Sequence, residues 1–127
     1  MAKPAPHVTD AEFAVLTALW AEGDRTAREL TERLYPPCTA ADVATVQKLL
    51  QRLENKGLVL RDRSQHTHRF RAAVPQKQFA GQQLSQLAEK LSGGSLTPLL
   101  VHLVENNRLS KRELDELRAL LESRKRR

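Results

Sequence analysis

The chain has 127 residues, 21 Lys and Arg against 15 Asp and Glu, and a formal net charge of +6. This length suits one domain with a small appendage, and 40% hydrophobic with 28% charged residues is typical of a folded protein rather than a disordered one. The single cysteine excludes an internal disulfide framework, and no apolar run reaches the roughly 20 residues that span a bilayer, so we expect a small cytoplasmic protein without membrane insertion.

The first part of the chain predicts three helices, each beginning at a Thr that is followed three residues later by an acidic side chain, the pattern of a capping box. The first helix ends at Gly23, and the second ends before Pro36-Pro37 because proline cannot continue a helix. The third helix runs to about Lys56, and Gly57 supplies its left-handed exit. The three capping residues are Thr9, Thr26 and Thr39.

The hydrophobic period then changes to that of β-strands. Residues 58–63 predict a strand, 64–67 a polar turn and 68–73 a returning strand. A lone hairpin is marginally stable in water, so we expect Leu58, Leu60 and Phe70 to fold back onto the helices. Three capped helices followed by a hairpin predict a winged helix-turn-helix.

Pro75 marks a predicted boundary between a winged-helix domain, 1–75, and a helical domain, 76–127. The leucine spacing of the second domain predicts helices over about 76–91 and 96–105, and a last helix begins with the capping box from Ser110 to Glu113. The predicted fold is therefore mainly α with a small two-stranded β hairpin. Short amphipathic helices bury little apolar surface alone, so pairing with a second copy is the simplest arrangement.

The positive charge is concentrated in residues 43–75, which carry 7 basic and 2 acidic residues, a net charge of +5. On a helical wheel, the third helix has apolar residues on one side and, on the other, small residues followed by long polar ones. That face suits a helix entering the DNA major groove, with the hairpin arginines on flanking phosphates, although a solvated helix face is the simpler alternative. The candidate DNA-binding residues are Ala44, Thr45, Lys48, Gln51, Arg52, Arg61, Arg63 and Arg69.

Several segments carry a family resemblance: Val8 to Trp20, Thr26 to Leu30, Ala44 to Gly57, and the C-terminal stretch from Gly93 to Leu117. Together they resemble the penicillinase-repressor family of the BlaI/MecI type over about residues 8–121. The resemblance implies a homodimeric transcriptional repressor that binds an inverted repeat in double-stranded DNA, with no cofactor. Ala44, Thr45 and Lys48 fall where that family places its groove-contacting residues.

The same resemblance implies a dimerisation role for the second domain, whose candidate residues are Phe79, Leu84, Leu87, Leu99, Leu103, Leu114, Leu117 and Leu121. It further implies release by a membrane sensor-protease that senses a β-lactam, with cleavage in the dimerisation arm. The matching bond is His102-Leu103, where the best-known members have Asn-Phe. The C-terminus lacks the paired CxC motifs of related copper-responsive repressors, which excludes copper sensing by that route.

Other signals are weaker. Cys38 precedes the third helix and is either a redox switch or a neutral thiol, and the pair His66 and His68 has too few ligands for a metal site. Trp20 is expected in the core. No nucleophile-base set or phosphate-binding loop is present, which argues against an enzyme. The alternative function is a winged-helix interaction module whose basic face binds an acidic partner.

Overall fold

The computed structural model describes residues 6–125, which form two compact units: unit 1 ends at Gln83 and unit 2 begins at Leu84. The elements in chain order are α1 (Asp10–Glu22), β1 (Arg25–Thr26), α2 (Ala27–Leu34), α3 (Ala40–Asn55), β2 (Val59–Asp62), β3 (Arg69–Ala72), α4 (Gln76–Ser92), α5 (Thr97–Glu105) and α6 (Lys111–Lys125). The order from α1 to β3 is that of a winged helix, which confirms the predicted mainly α fold. The functional boundary at residue 75 stays a prediction.

The helices of unit 1 begin where the capping boxes place them. At the start of α1, the N–H of Glu12 donates to Thr9 Oγ1 at 3.2 Å and the N–H of Thr9 donates to Glu12 Oε1 at 2.9 Å. The same reciprocal pair begins α2 at Thr26 and α3 at Thr39. Each cap contributes about 1 kcal/mol because it satisfies backbone donors that have no partner within the helix.

The sheet has three strands, so the predicted two-stranded hairpin was one strand short. β2 and β3 pair antiparallel with Val59 opposite Ala72, and β1 pairs with the other edge of β3, with Arg25 opposite Phe70. A two-residue strand has no alternating pattern for the sequence to show, and only its pairing with β3 defines it. We call β2, β3 and the turn between them the wing.

The core of unit 1 is formed by aliphatic side chains of α1, α2 and α3 together with the base of the wing. The prediction that Leu60 packs inward was wrong: its side chain is 46% exposed, whereas Leu58 and Phe70 are buried. Leu58 precedes β2, so its direction does not set the alternation of the strand, and the inward position belongs to Val59. The buried hydrophobic side chains of this core are Val15, Leu16, Ala18, Leu19, Leu30, Val46, Leu49, Leu50, Leu53, Leu58, Val59, Phe70 and Phe79.

An aromatic cluster closes one side of this core. Trp20 Nε1 donates to the carbonyl oxygen of Val74 at 2.9 Å, and its ring lies 5.4 Å from that of Phe79. Phe79 is one of the candidate dimerisation residues that the family resemblance implies. The structure instead buries its side chain within unit 1, against Trp20 and Phe13, so this residue stabilises the single chain.

Unit 2 contains the end of α4 together with α5 and α6. The last helix begins at the predicted capping box, where the N–H of Glu113 donates to Ser110 Oγ at 3.1 Å. Many large apolar side chains of this unit are exposed to solvent. They are Leu84, Leu87, Leu91, Leu96, Leu100, Val101, Leu103, Val104, Leu117, Leu120 and Leu121. Within residues 6–125, no helix has both the length and the apolar character needed to cross a membrane.

Candidate nucleic-acid interface

The exposed face of α3 carries the residues that the sequence analysis selected. The opposite face, with Leu49, Leu50 and Leu53, is buried in the core. This burial fixes the rotation of the helix, so the exposed stripe cannot turn away from solvent. The first two turns of the exposed face are small, and longer polar side chains follow. In chain order the exposed residues are Ala40, Ala41, Ala44, Thr45, Gln47, Lys48, Gln51, Arg52 and Asn55.

A groove of about 1030 Å³ lies between this face of α3, the start of α2 and the wing. It brings together five of the eight candidate DNA-binding residues, which are Ala44, Lys48, Gln51, Arg61 and Arg63. Arg28 also lines the groove, and Glu54 is the single carboxylate among the lining residues within the part of the chain that is described. The groove is therefore cationic, as expected of a surface that faces phosphates.

Three candidates lie outside this groove. Thr45 and Arg52 are exposed on the flank of α3, and Thr45 Oγ1 donates to the carbonyl oxygen of Ala41 at 3.1 Å. Arg69 is half-buried and ion-paired, with its Nε 3.2 Å from Asp24 and Nη1 3.8 Å from Glu29. Its guanidinium thus ties β3 to the start of α2.

Two wing arginines share one carboxylate of α3. Arg61 Nη2 lies 3.2 Å from Glu54 Oε1, and Arg63 Nη2 lies 3.2 Å from Glu54 Oε2. The guanidinium carbon of Arg61 also lies 4.8 Å from the centre of the Phe70 ring, within the range of a cation–π contact. Arg61 is the more enclosed of the two, with 22% of its side chain exposed against 58% for Arg63.

Sequence reasoning missed several groove residues, namely Arg28, Gln47, Glu54 and Thr67, whereas His66 and His68, which the sequence places at the tip of the hairpin, also line the groove. The spacing of Gln47 and Gln51, one helical turn apart, could have identified Gln47. No sequence signal identifies Glu54, because an acidic residue is not expected to face DNA. Among the described residues, no group of three His, Cys, Asp or Glu could hold a metal, and Cys38 is a half-buried free thiol.

A partly buried ion pair connects the C-terminal end of α3 to α1. Lys56, just after α3, places its Nζ 2.8 Å from Glu12 Oε1 and donates to the carbonyl oxygen of His7 at 2.8 Å. Burial of the Glu12 carboxyl acts to raise its pKa, but the hydrogen bonds from Lys56 and Thr9 outweigh that effect, and the pKa of Glu12 lies below its ordinary value. The C-terminal end of α3 is thereby fixed to the N-terminal end of α1.

Comparison with known proteins identifies the family. The sequence profile of the penicillinase repressor matches residues 8–123. The chain is 36% identical over 114 residues to the transcriptional regulator BlaI of Mycobacterium tuberculosis, covering 88% of this chain and 80% of that protein. It is 23% identical over 121 residues to the penicillinase repressor of Staphylococcus aureus, covering 95% of each. A solved MarR family protein from Bacillus stearothermophilus is similar, with a TM-score of 0.47 and 26% identity over 91% of this chain and 76% of that one.

The named relatives are a repressor and a transcriptional regulator, which confirms the prediction that the chain is not an enzyme. The family profile covers both units, and the segments that carried the resemblance lie within it. Unit 1 independently has the element order of a winged helix, with an exposed polar helix face beside a basic wing. The chain therefore belongs to the penicillinase-repressor family of transcriptional regulators.

Proposed function

We propose that this chain is a cytoplasmic, homodimeric repressor that binds an inverted-repeat operator, with α3 in the major groove of each half-site. The observation that carries the proposal is the cationic groove, in which the exposed face of α3 and the wing lie side by side on one surface of unit 1. A recognition helix with small residues at its start can approach base edges closely, and an adjacent wing can reach the flanking backbone.

In this proposal the position of each candidate DNA-binding residue decides which part of the DNA it contacts. Ala44 and Thr45 lie near the start of α3, where their methyl groups could contact a thymine methyl, and Lys48 and Gln51 extend to base edges or phosphates. Arg52 lies on the flank of the helix and faces the backbone. On the wing, Arg63 is the most exposed of the candidate arginines, and it is assigned a phosphate contact.

The dimerisation role of unit 2 is supported by its exposed apolar side chains. Large exposed apolar patches are characteristic of interaction surfaces, because a monomer that keeps them in water loses the free energy of burying them. Of the candidate dimerisation residues, Leu84, Leu87, Leu103, Leu117 and Leu121 are exposed and Leu99 and Leu114 are half-buried. Phe79 leaves this set. The functional division at residues 75 and 76 belongs to the same proposal.

We further propose that a membrane sensor-protease relieves repression by triggering cleavage at His102-Leu103. Two relatives support a β-lactam signal by name: the penicillinase repressor, and the methicillin resistance regulatory protein MecI of Staphylococcus aureus, which is 23% identical over 115 residues. The bond lies inside α5, and the carbonyl oxygen of His102 accepts hydrogen bonds from the backbone N–H and Nδ2 of Asn106 at 3.1 and 2.8 Å. Cleavage would require this turn to unwind.

The direct test is a mobility-shift assay with DNA from upstream of the coding sequence and a scrambled duplex of equal composition. The proposal expects a complex with the upstream DNA at protein concentrations that leave the scrambled duplex free. Equal binding to both duplexes, or no binding, would contradict it. Tight binding to an acidic protein without DNA preference would instead support an interaction module.

A further inference from the structure

The groove contains a carboxylate where DNA binding alone would disfavour one. Glu54 lies on α3 among lining residues that include the cations Arg28, Lys48, Arg61 and Arg63. A carboxylate on a DNA-facing surface repels phosphates. Its presence there requires a compensating role. Resting on the proposed function, we propose that Glu54 is a positioning residue that holds the wing at a fixed distance from α3, so that both elements reach one duplex.

The contacts of Glu54 support this role because they join two elements. One carboxylate oxygen pairs with Arg61 and the other with Arg63, each at 3.2 Å. Arg61 lies within β2 and Arg63 directly follows its last residue, Asp62, and the guanidinium groups of both reach the same carboxylate of α3. The short connection through Lys56, Gly57 and Leu58 fixes the base of the wing. Glu54 adds a second attachment further along it.

The two arginines have different surroundings, and this assigns them different tasks. Arg61 lies over the buried Phe70 ring, and its Nε is buried without a hydrogen-bond partner among residues 6–125. Its Glu54 pair therefore compensates a guanidinium that is already partly desolvated. Arg61 is a positioning residue, in place of the phosphate contact predicted from the sequence. Arg63 is mostly exposed, and it can exchange Glu54 for a phosphate when DNA binds.

The substitution Glu54→Gln separates positioning from charge because the two effects have opposite signs. Loss of a negative charge alone strengthens binding to any DNA. Loss of positioning weakens binding to the upstream DNA and spares the scrambled duplex, which does not require helix and wing in register. We expect E54Q to lose about tenfold in affinity for the upstream DNA, the equivalent of one charged hydrogen bond, while binding of the scrambled duplex is unchanged or tighter.

Two further variants complete the test. Glu54→Asp keeps the charge but is one methylene too short to reach both arginines, so it should also lose preference for the upstream DNA. Glu32→Gln is the matched control, because it removes an exposed carboxylate of α2 whose partner is Arg28 on the same helix, at 3.1 Å. It should keep the wild-type preference. Thermal unfolding of each variant verifies that the fold persists. If E54Q does not fold, E54D alone tests whether Glu54 positions the wing.

The outcomes distinguish this inference from the function on which it rests. If E54Q binds both duplexes more tightly, or if E54D keeps the full wild-type preference, Glu54 acts only through its charge and the inference is overturned. If the wild-type protein itself shows no preference for the upstream DNA, the proposed function fails first. A salt titration adds an independent readout. Arg63→Gln should reduce the slope of log affinity against log salt concentration by about 1. Arg61→Gln should leave that slope unchanged and lower the affinity for the upstream DNA.

Discussion

Unit 1 exposes two large apolar side chains among its described residues, Phe13 and Leu60, whereas unit 2 exposes eleven. Unit 1 also has aromatic contacts, a partly buried ion pair and a three-stranded sheet, all of them formed within one chain. In unit 2, Ala88 is the one buried hydrophobic residue within the described range. The difference teaches that unit 1 buries most of its large apolar side chains within one chain, whereas the exposed apolar surface of unit 2 is the feature on which the proposed dimer rests.

The largest effect should come from charging that surface. Replacing Leu114 and Leu117 with Asp places two carboxylates among the apolar side chains of α6 and should dissociate the proposed dimer. Two linked half-sites then become independent, so affinity for a full inverted repeat should fall by about 100-fold or more, while affinity for a half-site changes little. Sedimentation velocity and shift assays on both duplexes measure this.

Leu60→Asp is the matched control, since Leu60 is 46% exposed in unit 1 and Leu117 is 39% exposed in unit 2. The control should keep the sedimentation coefficient of the wild type. If the double variant stays dimeric, or if half-site and full-site binding fall equally, the comparison between the units is wrong.

The stability of unit 1 can be tested by removing an interaction inside it. Lys56→Met leaves the buried carboxylate of Glu12 without its cation, and removal of one partner from a buried pair costs about 3 kcal/mol. Urea denaturation at neutral pH gives the free energy of unfolding. Arg28→Met is the control, because its pair with Glu32 is exposed and should contribute less than about 1 kcal/mol. Equal losses in the two variants would refute the special role of Lys56.

A smaller effect is expected from the exposed face of α3, the proposed DNA-binding surface. Lys48→Ala should weaken binding to the upstream DNA by roughly 1–3 kcal/mol if the side chain reaches a base edge, and Arg52→Ala should do so if its side chain does. Lys77→Ala removes the same charge from α4, outside the groove, and should change binding little. Fluorescence anisotropy at one fixed salt concentration measures the three variants. A Lys48→Ala protein that binds like the wild type would remove Lys48 from the interface.

The smallest effect is a pH dependence of stability. Because the pKa of Glu12 in the folded protein lies below its ordinary value of 4.5, the unfolded chain binds this proton more readily. The contribution of Glu12 to stability is therefore complete above pH 4.5 and decreases as the pH falls through the folded pKa. Urea denaturation over a series of acidic pH values should show a shallower decline for Glu12→Gln. An unchanged slope would mean that other carboxyls account for the acid sensitivity.

Features that depend on residues close together in the sequence could be predicted, whereas features that depend on contacts between distant segments could not. The capping boxes at Thr9, Thr26, Thr39 and Ser110 were predictable, since each helix start is encoded within four residues. The rotation of α3 followed from its apolar stripe. The strand β1 could not be predicted, because two residues become a strand only through pairing with β3.

The same distinction applies to the residues of the candidate site. The helical wheel identified Ala44, Lys48 and Gln51, which line the groove. It could not show that Glu54 reaches across to the wing, since that contact joins residues on two elements. Phe79 was misassigned for a related reason: its place in an apolar stripe does not say whether the covering surface belongs to the same chain.

The most direct test of the central claim is a hydroxyl-radical footprint of the full-length protein on the DNA upstream of its coding sequence. Two winged helices joined through unit 2 should protect two half-sites related by a dyad, with centres separated by about 10 base pairs or a multiple of that. A single protected half-site, or uniform protection without a dyad, would contradict the account of a dimeric repressor that places α3 in two major grooves.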